Sequence, residues 1–375
     1  MKYDVLVVGA GISGATLAER YATIAGKRVL VLEKRNHIGG NCYDYLNSDG
    51  ILVPAYGPHF FHTNFEDVWE YVNRFSGWIP YEHRVLSAVD GKLLPVPVNI
   101  LTVNELFGLR LSTEAEMKQW LEENTAKIDA PANSEEAALR RVGPQLYEKL
   151  FKPYTHKQWD RWPSELDASV MDRIPVRTTF EDRYFTDKYQ VMPEKGYAKL
   201  FERMLDNPLI EVRLGVDYMN AKDLFRDVKK TLFTGPIDEF FGYKFGERLE
   251  YRSLRFEYET RDEEYYQATA QINYPSPDVA FTRITEPKRA TGQQHSKTTI
   301  IREYSTWEGE PYYPVPSERN RHLYERYRQE AIALEKDGIH FVGRLANYKY
   351  FNMDQAFQNA LKFFANLEKG NSYHE

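Results

Sequence analysis

Two runs decide how the N-terminal part of the chain folds: Val5-Leu-Val-Val-Gly9-Ala10-Gly11-Ile-Ser13-Gly14, and Val29-Leu-Val-Leu-Glu33. Apolar residues, a glycine cluster, an Ala/Leu/Glu-rich segment and a second apolar run predict strand 3–8, turn 9–14, helix 15–25 and strand 27–32. In a strand–turn–helix context the spacing G-x-G-x-x-G has a mechanical meaning. Gly9 permits the tight turn, Gly11 lets the backbone approach a pyrophosphate, and Gly14 lets helix and strand pack closely. Ser13 lies where free N–H groups at the helix start meet the anion. Glu33, 19 positions after Gly14, stands at the end of the second strand. Its carboxylate suits the hydroxyls of a ribose and would repel a 2′-phosphate. A bound dinucleotide is expected; a bare glycine turn is the competing reading.

Outward from this unit, 375 residues with 42% hydrophobic content can bury a large core and suggest two or three lobes. Forty-nine basic against 55 acidic residues, without a basic block, give no electrostatic reason to expect nucleic acid or an anionic membrane as partner. No apolar run approaches the roughly 18 residues of a membrane span. Met1-Lys2-Tyr3 runs straight into the first strand and Cys42 is the sole cysteine, so neither a leader nor an internal disulfide is expected, and a cytoplasmic location fits. Residues 113–124 and 135–151 read as helices of an insertion, whereas 254–260, 268–274 and 298–304 read as strands of an antiparallel sheet. A charged helix at 319–334, a strand at 339–342, Gly343-Arg344 and a helix at 354–367 close the chain.

The continuation Glu33-Lys-Arg35-Asn-His-Ile-Gly39-Gly40-Asn41 resembles the extended fingerprint of flavoproteins of the amine oxidase-like type, which favours FAD over NAD. No second G-x-G-x-x-G occurs, so an external reductant such as NADPH would have no dedicated domain. Seven further strings resemble the bacterial UDP-galactopyranose mutase family: Tyr56-Gly57-Pro58-His59-Phe60-Phe61-His62-Thr63, Lys152-Pro-Tyr154-Thr155-His-Lys157-Gln158-Trp159, Arg173-Ile-Pro175-Val-Arg177, Tyr189-Gln190-Val-Met-Pro193, Thr282-Arg283-Ile-Thr285-Glu286, Pro311-Tyr-Tyr313-Pro314 and Gly343-Arg344-Leu-Ala-Asn-Tyr348-Lys-Tyr350.

That resemblance implies an α/β fold: a Rossmann-like FAD-binding domain, a helical insertion domain and a twisted antiparallel β-sheet domain. The FAD domain would be discontinuous, 1–80 with about 190–245 and 335–375. The helices would occupy about 100–152. The sheet and substrate domain would take about 81–99, 153–189 and 246–320, with a mobile loop at about 167–184. FAD would be held by Gly9, Gly11, Ser13, Gly14, Glu33, Arg35, Gly39, Gly40, Asn41, His59, His62, Arg344, Asn352, Met353 and Asp354. Tyr154 would stack on uracil with Phe151, Thr155, Trp159 and Asn273 nearby, and Arg173 and Arg283 would grip the diphosphate. Tyr184, Tyr313 and Tyr350 would bond phosphates and close the site; Arg173, Arg283, His62 and Tyr350 are the expected catalytic set. No metal is implied. The implied reaction converts UDP-galactose from pyranose to furanose without net redox, with N5 of reduced FAD as nucleophile on the anomeric carbon; a homodimer is usual.

His83 and Asn352 stand where many members carry Asn and Asp, near the expected sugar subsite. Exchanging a carboxylate for an amide removes a charge and adds a donor. A related substrate such as a UDP-N-acetylgalactosamine therefore stays open. So do two rivals: a flavin oxidoreductase of amine oxidase type, and a nucleotide-sugar binding module with structural FAD. Cys42 is expected to be inert.

Overall fold

The computed structural model describes residues 2–172 and 174–370. A parallel sheet runs in the order Ile210–Leu214, Val29–Glu33, Val5–Val8, Lys230–Phe233, Ile339–Phe341. Its central strands are apolar on both faces because both faces are covered. Val5, Val7, Val29 and Val31 pack with Leu17, Phe201 and Phe357 in one core. Leu6, Leu30 and Leu32 point the other way, against Tyr218 and Phe233. The first helix spans Ile12–Thr23, three residues ahead of the position expected from composition, because the glycine turn itself winds into the helix with Gly11 as its N-cap.

The second sheet has seven strands, ordered Tyr313–Pro314, Tyr251–Arg261, Thr298–Thr306, Arg283–Thr285, Gln271–Asn273, Val85–Val89, Lys92–Val96. One neighbouring pair departs from the antiparallel expectation: Gln271–Asn273 runs parallel to Val85–Val89. Those strands come from distant parts of the chain, so no hairpin dictates their relative direction.

The helices Ile100–Phe107, Glu114–Asn124 and Ser134–Leu146 enclose a separate core of Val103, Met117, Ala138, Val142 and Leu146. Thr113 and Glu116 form a capping box that starts the middle helix where the sequence predicts it. The single helix expected over 135–151 is interrupted at Gly143, which has a left-handed φ of +76°. The chain resumes as a wide π turn, Tyr147–Phe151, that leads into the helix Lys152–Trp159. A separate three-stranded antiparallel ribbon is formed by Phe61–Thr63, Tyr189–Pro193 and Trp78–Pro80. Among the described residues no helix is long and apolar enough to cross a membrane, and no cluster of three or more His, Cys, Asp or Glu could hold a metal ion.

Candidate active site

The glycine turn, the end of the second parallel strand and the start of the last helix line one cavity. Gly14 does not face it; a Cβ there would stand 1.9 Å from the Gly9 carbonyl oxygen, so its contribution is close packing. Gly40 approaches Gly11 so nearly that its Cβ would lie 2.9 Å from the Gly11 Cα. Backbone thus forms the floor where a pyrophosphate needs N–H groups within reach. Glu33 is buried, and its two oxygens accept from the Ala10 and Arg35 N–H groups at 2.8 and 2.9 Å. That fixes the carboxylate while leaving lone pairs for ribose hydroxyls. Arg35 stacks on Tyr56 and donates to Asn41 Oδ1 at 3.0 Å. These residues fit a dinucleotide without adjustment.

A second cavity adjoins the first, and the two share Asn41, His59, Arg344 and Met353. Any group bound in the first cavity is therefore presented to the second. The outer cleft is lined by Phe151, Tyr154, Thr155, Tyr184, Asn273, Arg283, Tyr313, Tyr350, His62, His83 and Asn352, from the helix Lys152–Trp159, the seven-stranded sheet, the ribbon and the start of the last helix. Arg283 and Glu303 are direct cross-strand neighbours, and a guanidinium nitrogen donates to Glu303 Oε1 at 2.6 Å. Arg283 Nε and Glu303 Oε2 are buried without a protein partner, so the pair has unspent hydrogen-bonding capacity inside the cleft. Burial opposes the Arg283 charge, but Glu303, Tyr154 and Tyr313 raise its pKa well above the ordinary value. The cation is permanent.

Two of the cleft histidines, His59 and His83, are neutral by environment. Burial, reinforced by Arg344 and Arg283, lowers His59 to about 4, and its Nδ1 lies 3.0 Å from the Gly57 carbonyl. Burial, with Arg283 and His62 adding to it, lowers His83 to about 3. His83 stacks on Phe60 with centroids 3.8 Å apart and meets the Tyr81 hydroxyl at 3.1 Å. His62 stacks on Phe185 at 3.6 Å and pairs with Asp187 at 3.0 Å. Burial pushes the Tyr154 phenol up to about 12, so it remains a neutral ring. Tyr313 and Tyr350 stack at 5.4 Å, and Arg344 lies over Tyr350 at the same distance from its centroid. Arg344 also donates to the Phe351 carbonyl, anchoring the return segment over both cavities.

Several expectations change once the side chains are placed. Trp159 is buried among Leu166, Val170 and Val315, with Tyr313 packed against that cluster; it supports the shelf from behind and does not line the cleft. The helix turns Trp159 away from the side that carries Tyr154. Asp354 is buried at the start of the helix Met353–Glu368 and lines neither cavity. Burial raises its pKa against the opposing influence of nearby His62. Arg173 lies outside the described residues. Ser87, Gln158, Phe185, Gln271 and Glu303 line the cleft without having been singled out in the sequence. Glu303 had one available signal, an acid within the apolar strand Thr298–Thr306. Cys42 is buried beside the first cavity, and burial lifts its thiol to about 12, which makes it a poor nucleophile.

Comparison with known proteins agrees with this geometry. The sequence model of the UDP-galactopyranose mutase family matches residues 149–350, and that of an NAD(P)-binding Rossmann-like domain matches 7–75. A probable UDP-galactopyranose mutase of Klebsiella pneumoniae is 39% identical, with 96% of this chain and 93% of that protein covered. A dTDP-fucopyranose mutase of Escherichia coli is 38% identical, with 96% of each covered. Among solved structures, a reduced UDP-galactopyranose mutase superposes with a TM-score of 0.77 at 17% identity, covering 99% of this chain and 96% of that one. The chain belongs to the UDP-galactopyranose mutase family and is an isomerase with that family's flavin-binding fold.

Proposed function

We propose that the protein interconverts UDP-galactopyranose and UDP-galactofuranose with FAD held in its reduced form. The observation that carries this reading is the shared wall of the two cavities, Asn41, His59, Arg344 and Met353, with the mostly enclosed Arg283 in the outer one. When bound, reduced FAD supplies a nucleophilic N5 for the anomeric carbon. The chain's own residues do the rest. Arg283 neutralises the diphosphate as it separates from the sugar, its planar fork matching phosphate oxygens. Arg173 is assigned to the same task from its sequence string alone. Tyr154 offers a neutral face to the base, and Tyr184, Tyr313 and Tyr350 bond phosphate oxygens and exclude water. Neutral His59 lines the cofactor cavity without adding to the charge of Lys34, Arg35 and Arg344. The reductant comes from outside, an agent such as NADPH acting through the cleft.

A second reading, a 6-deoxyhexose nucleotide as substrate, is favoured by one observation. The stacked pair Phe60–His83 and the adjoining Phe185 present rings to the cleft, and a methyl suits them better than a hydroxymethyl. The 39% and 38% identities to a galactose and a fucose mutase are too close to separate the two. Chromatography of products from dithionite-reduced enzyme separates them. Furanose from UDP-galactopyranose supports the first reading. Turnover confined to a dTDP- or UDP-fucopyranose supports the second, and flavin turnover on an amine with no furanose would sink both.

A further inference from the structure

The helix Lys152–Trp159 brings Tyr154, Thr155 and Gln158 to the cleft, yet its sequence carries no continuous apolar stripe. Only Thr155 and Trp159 on it are buried, so apolar packing alone sets its rotation weakly. Polar contacts supply the missing constraint. Lys157 follows Tyr154 by one turn, and its Nζ donates to the carbonyl oxygens of Tyr274 at 2.6 Å and Ser276 at 2.9 Å. Those carbonyls belong to the segment leaving the strand Gln271–Asn273, whose Asn273 lines the same cleft. Elsewhere on the helix, buried Arg252 donates Nε to the Gln158 carbonyl at 2.9 Å, at the end where the helix dipole is negative. The Trp307 indole N–H holds Asp160, the C-cap, at 2.7 Å.

The ammonium of Lys157 has carbonyls for partners and, among the described residues, no carboxylate. Burial alone lowers its pKa to about 8. Charge desolvated without an ion pair is a poor source of stability, and an apolar side chain of that length would fill the space at less cost. What the ammonium does provide is direction, because two carbonyls converge on one point.

We propose that Lys157 is a positioning residue for the nucleotide base: it pins the helix that carries Tyr154 to the strand that carries Asn273 and so sets the width of the base slot. The proposal rests on the nucleotide-sugar reading given above. Its test uses reduced holoenzyme, with UDP as the probe in calorimetry and UDP-galactopyranose in kinetics. Lys157→Met should raise the UDP Kd and the KM together by about tenfold, with kcat changed less than about twofold and FAD content unchanged. Lys157→Arg should stay within about threefold of the parent, because it keeps charge and reach.

A second measurement does not depend on the Met variant folding. Between about pH 7 and 9 the parent should lose UDP affinity relative to Lys157→Arg, since the lysine discharges and the arginine does not. Ionisation of the base is common to both proteins and cancels. So do the other titratable groups around this contact: Tyr274 and Asp278 on the facing segment, where Asp278 binds the Ser276 hydroxyl, and Lys152 and His156 on the helix itself. Unchanged UDP affinity in Lys157→Met, or matching pH profiles for parent and Lys157→Arg, would overturn the proposal. A parent enzyme that binds no UDP would instead contradict the nucleotide reading on which it rests.

Discussion

Arg283 and Glu303 sit opposite each other on adjacent antiparallel strands, and this pairing explains how a charged side chain only 16% exposed is kept in the cleft. A buried cation needs a partner, and Glu303 leaves Arg283 with donor capacity to spare. Replacing Arg283 by Ala should lower kcat by roughly a hundredfold or more with flavin retained, as expected for loss of a charge-stabilising donor. Arg283→Lys should recover only part, since a point charge replaces a fork. Steady-state kinetics with flavin quantified by absorbance checks both. The neutral histidines give a pH prediction. Burial lowers His59 to about 4 and His83 to about 3, so the unfolded chain binds more protons than the native one as pH falls below its ordinary histidine value. Stability is therefore present above that value and is lost as pH falls toward those folded pKa values, by about 2 kcal/mol per histidine at pH 5. His83→Asn should reduce the Tm difference between pH 7 and 5; an unaltered difference would mean that His83 is not held neutral.

At the scale of elements, the turn from Gly9 to Gly14 was legible because its spacing is local and Gly14 packs on the Gly9 carbonyl, although Gly9 closes on Thr234 and Gly11 on Gly40 from outside the turn. Gly14→Ala would drive a methyl into the Gly9 carbonyl, 1.9 Å from the ideal Cβ, and should yield protein that folds less stably and loses its visible flavin absorbance on purification. Full flavin occupancy in that variant would contradict the close-packing account. The helix Lys152–Trp159 was legible only in part. Its string pointed to Tyr154, but which residues of a short, evenly polar helix face a cleft depends on partners more than 90 positions away, such as Arg252 and Tyr274. Trp159 was misplaced for that reason. Phe185 and Gln271 were invisible, and Glu303 showed only as an acid in a strand, for a related one: each becomes a cleft residue only through strand pairing or ring stacking that no local pattern encodes. The break at Gly143 was written in the local text, since Gly143-Pro144 is a helix-breaking pair, and the left-handed φ lets the chain pass the Asn124 carbonyl oxygen, which a Cβ would approach to 2.0 Å.

Across the whole molecule, one parallel sheet carries the cofactor cavity and one mixed sheet forms one wall of the cleft, and the two cavities meet where Asn41, His59, Arg344 and Met353 belong to both. In the proposed reading, that meeting turns a dinucleotide fingerprint, which alone is compatible with hydride transfer, into a site where a flavin would face a nucleotide sugar. The most direct measurement of this claim follows furanose formation from UDP-galactopyranose, with fucopyranose as its UDP and dTDP derivatives in parallel, in oxidised and dithionite-reduced enzyme. The account predicts furanose from at least one of the two sugars in the reduced enzyme and none in the oxidised enzyme. Equal rates in both redox states, or no furanose from either sugar in the reduced state, would contradict it.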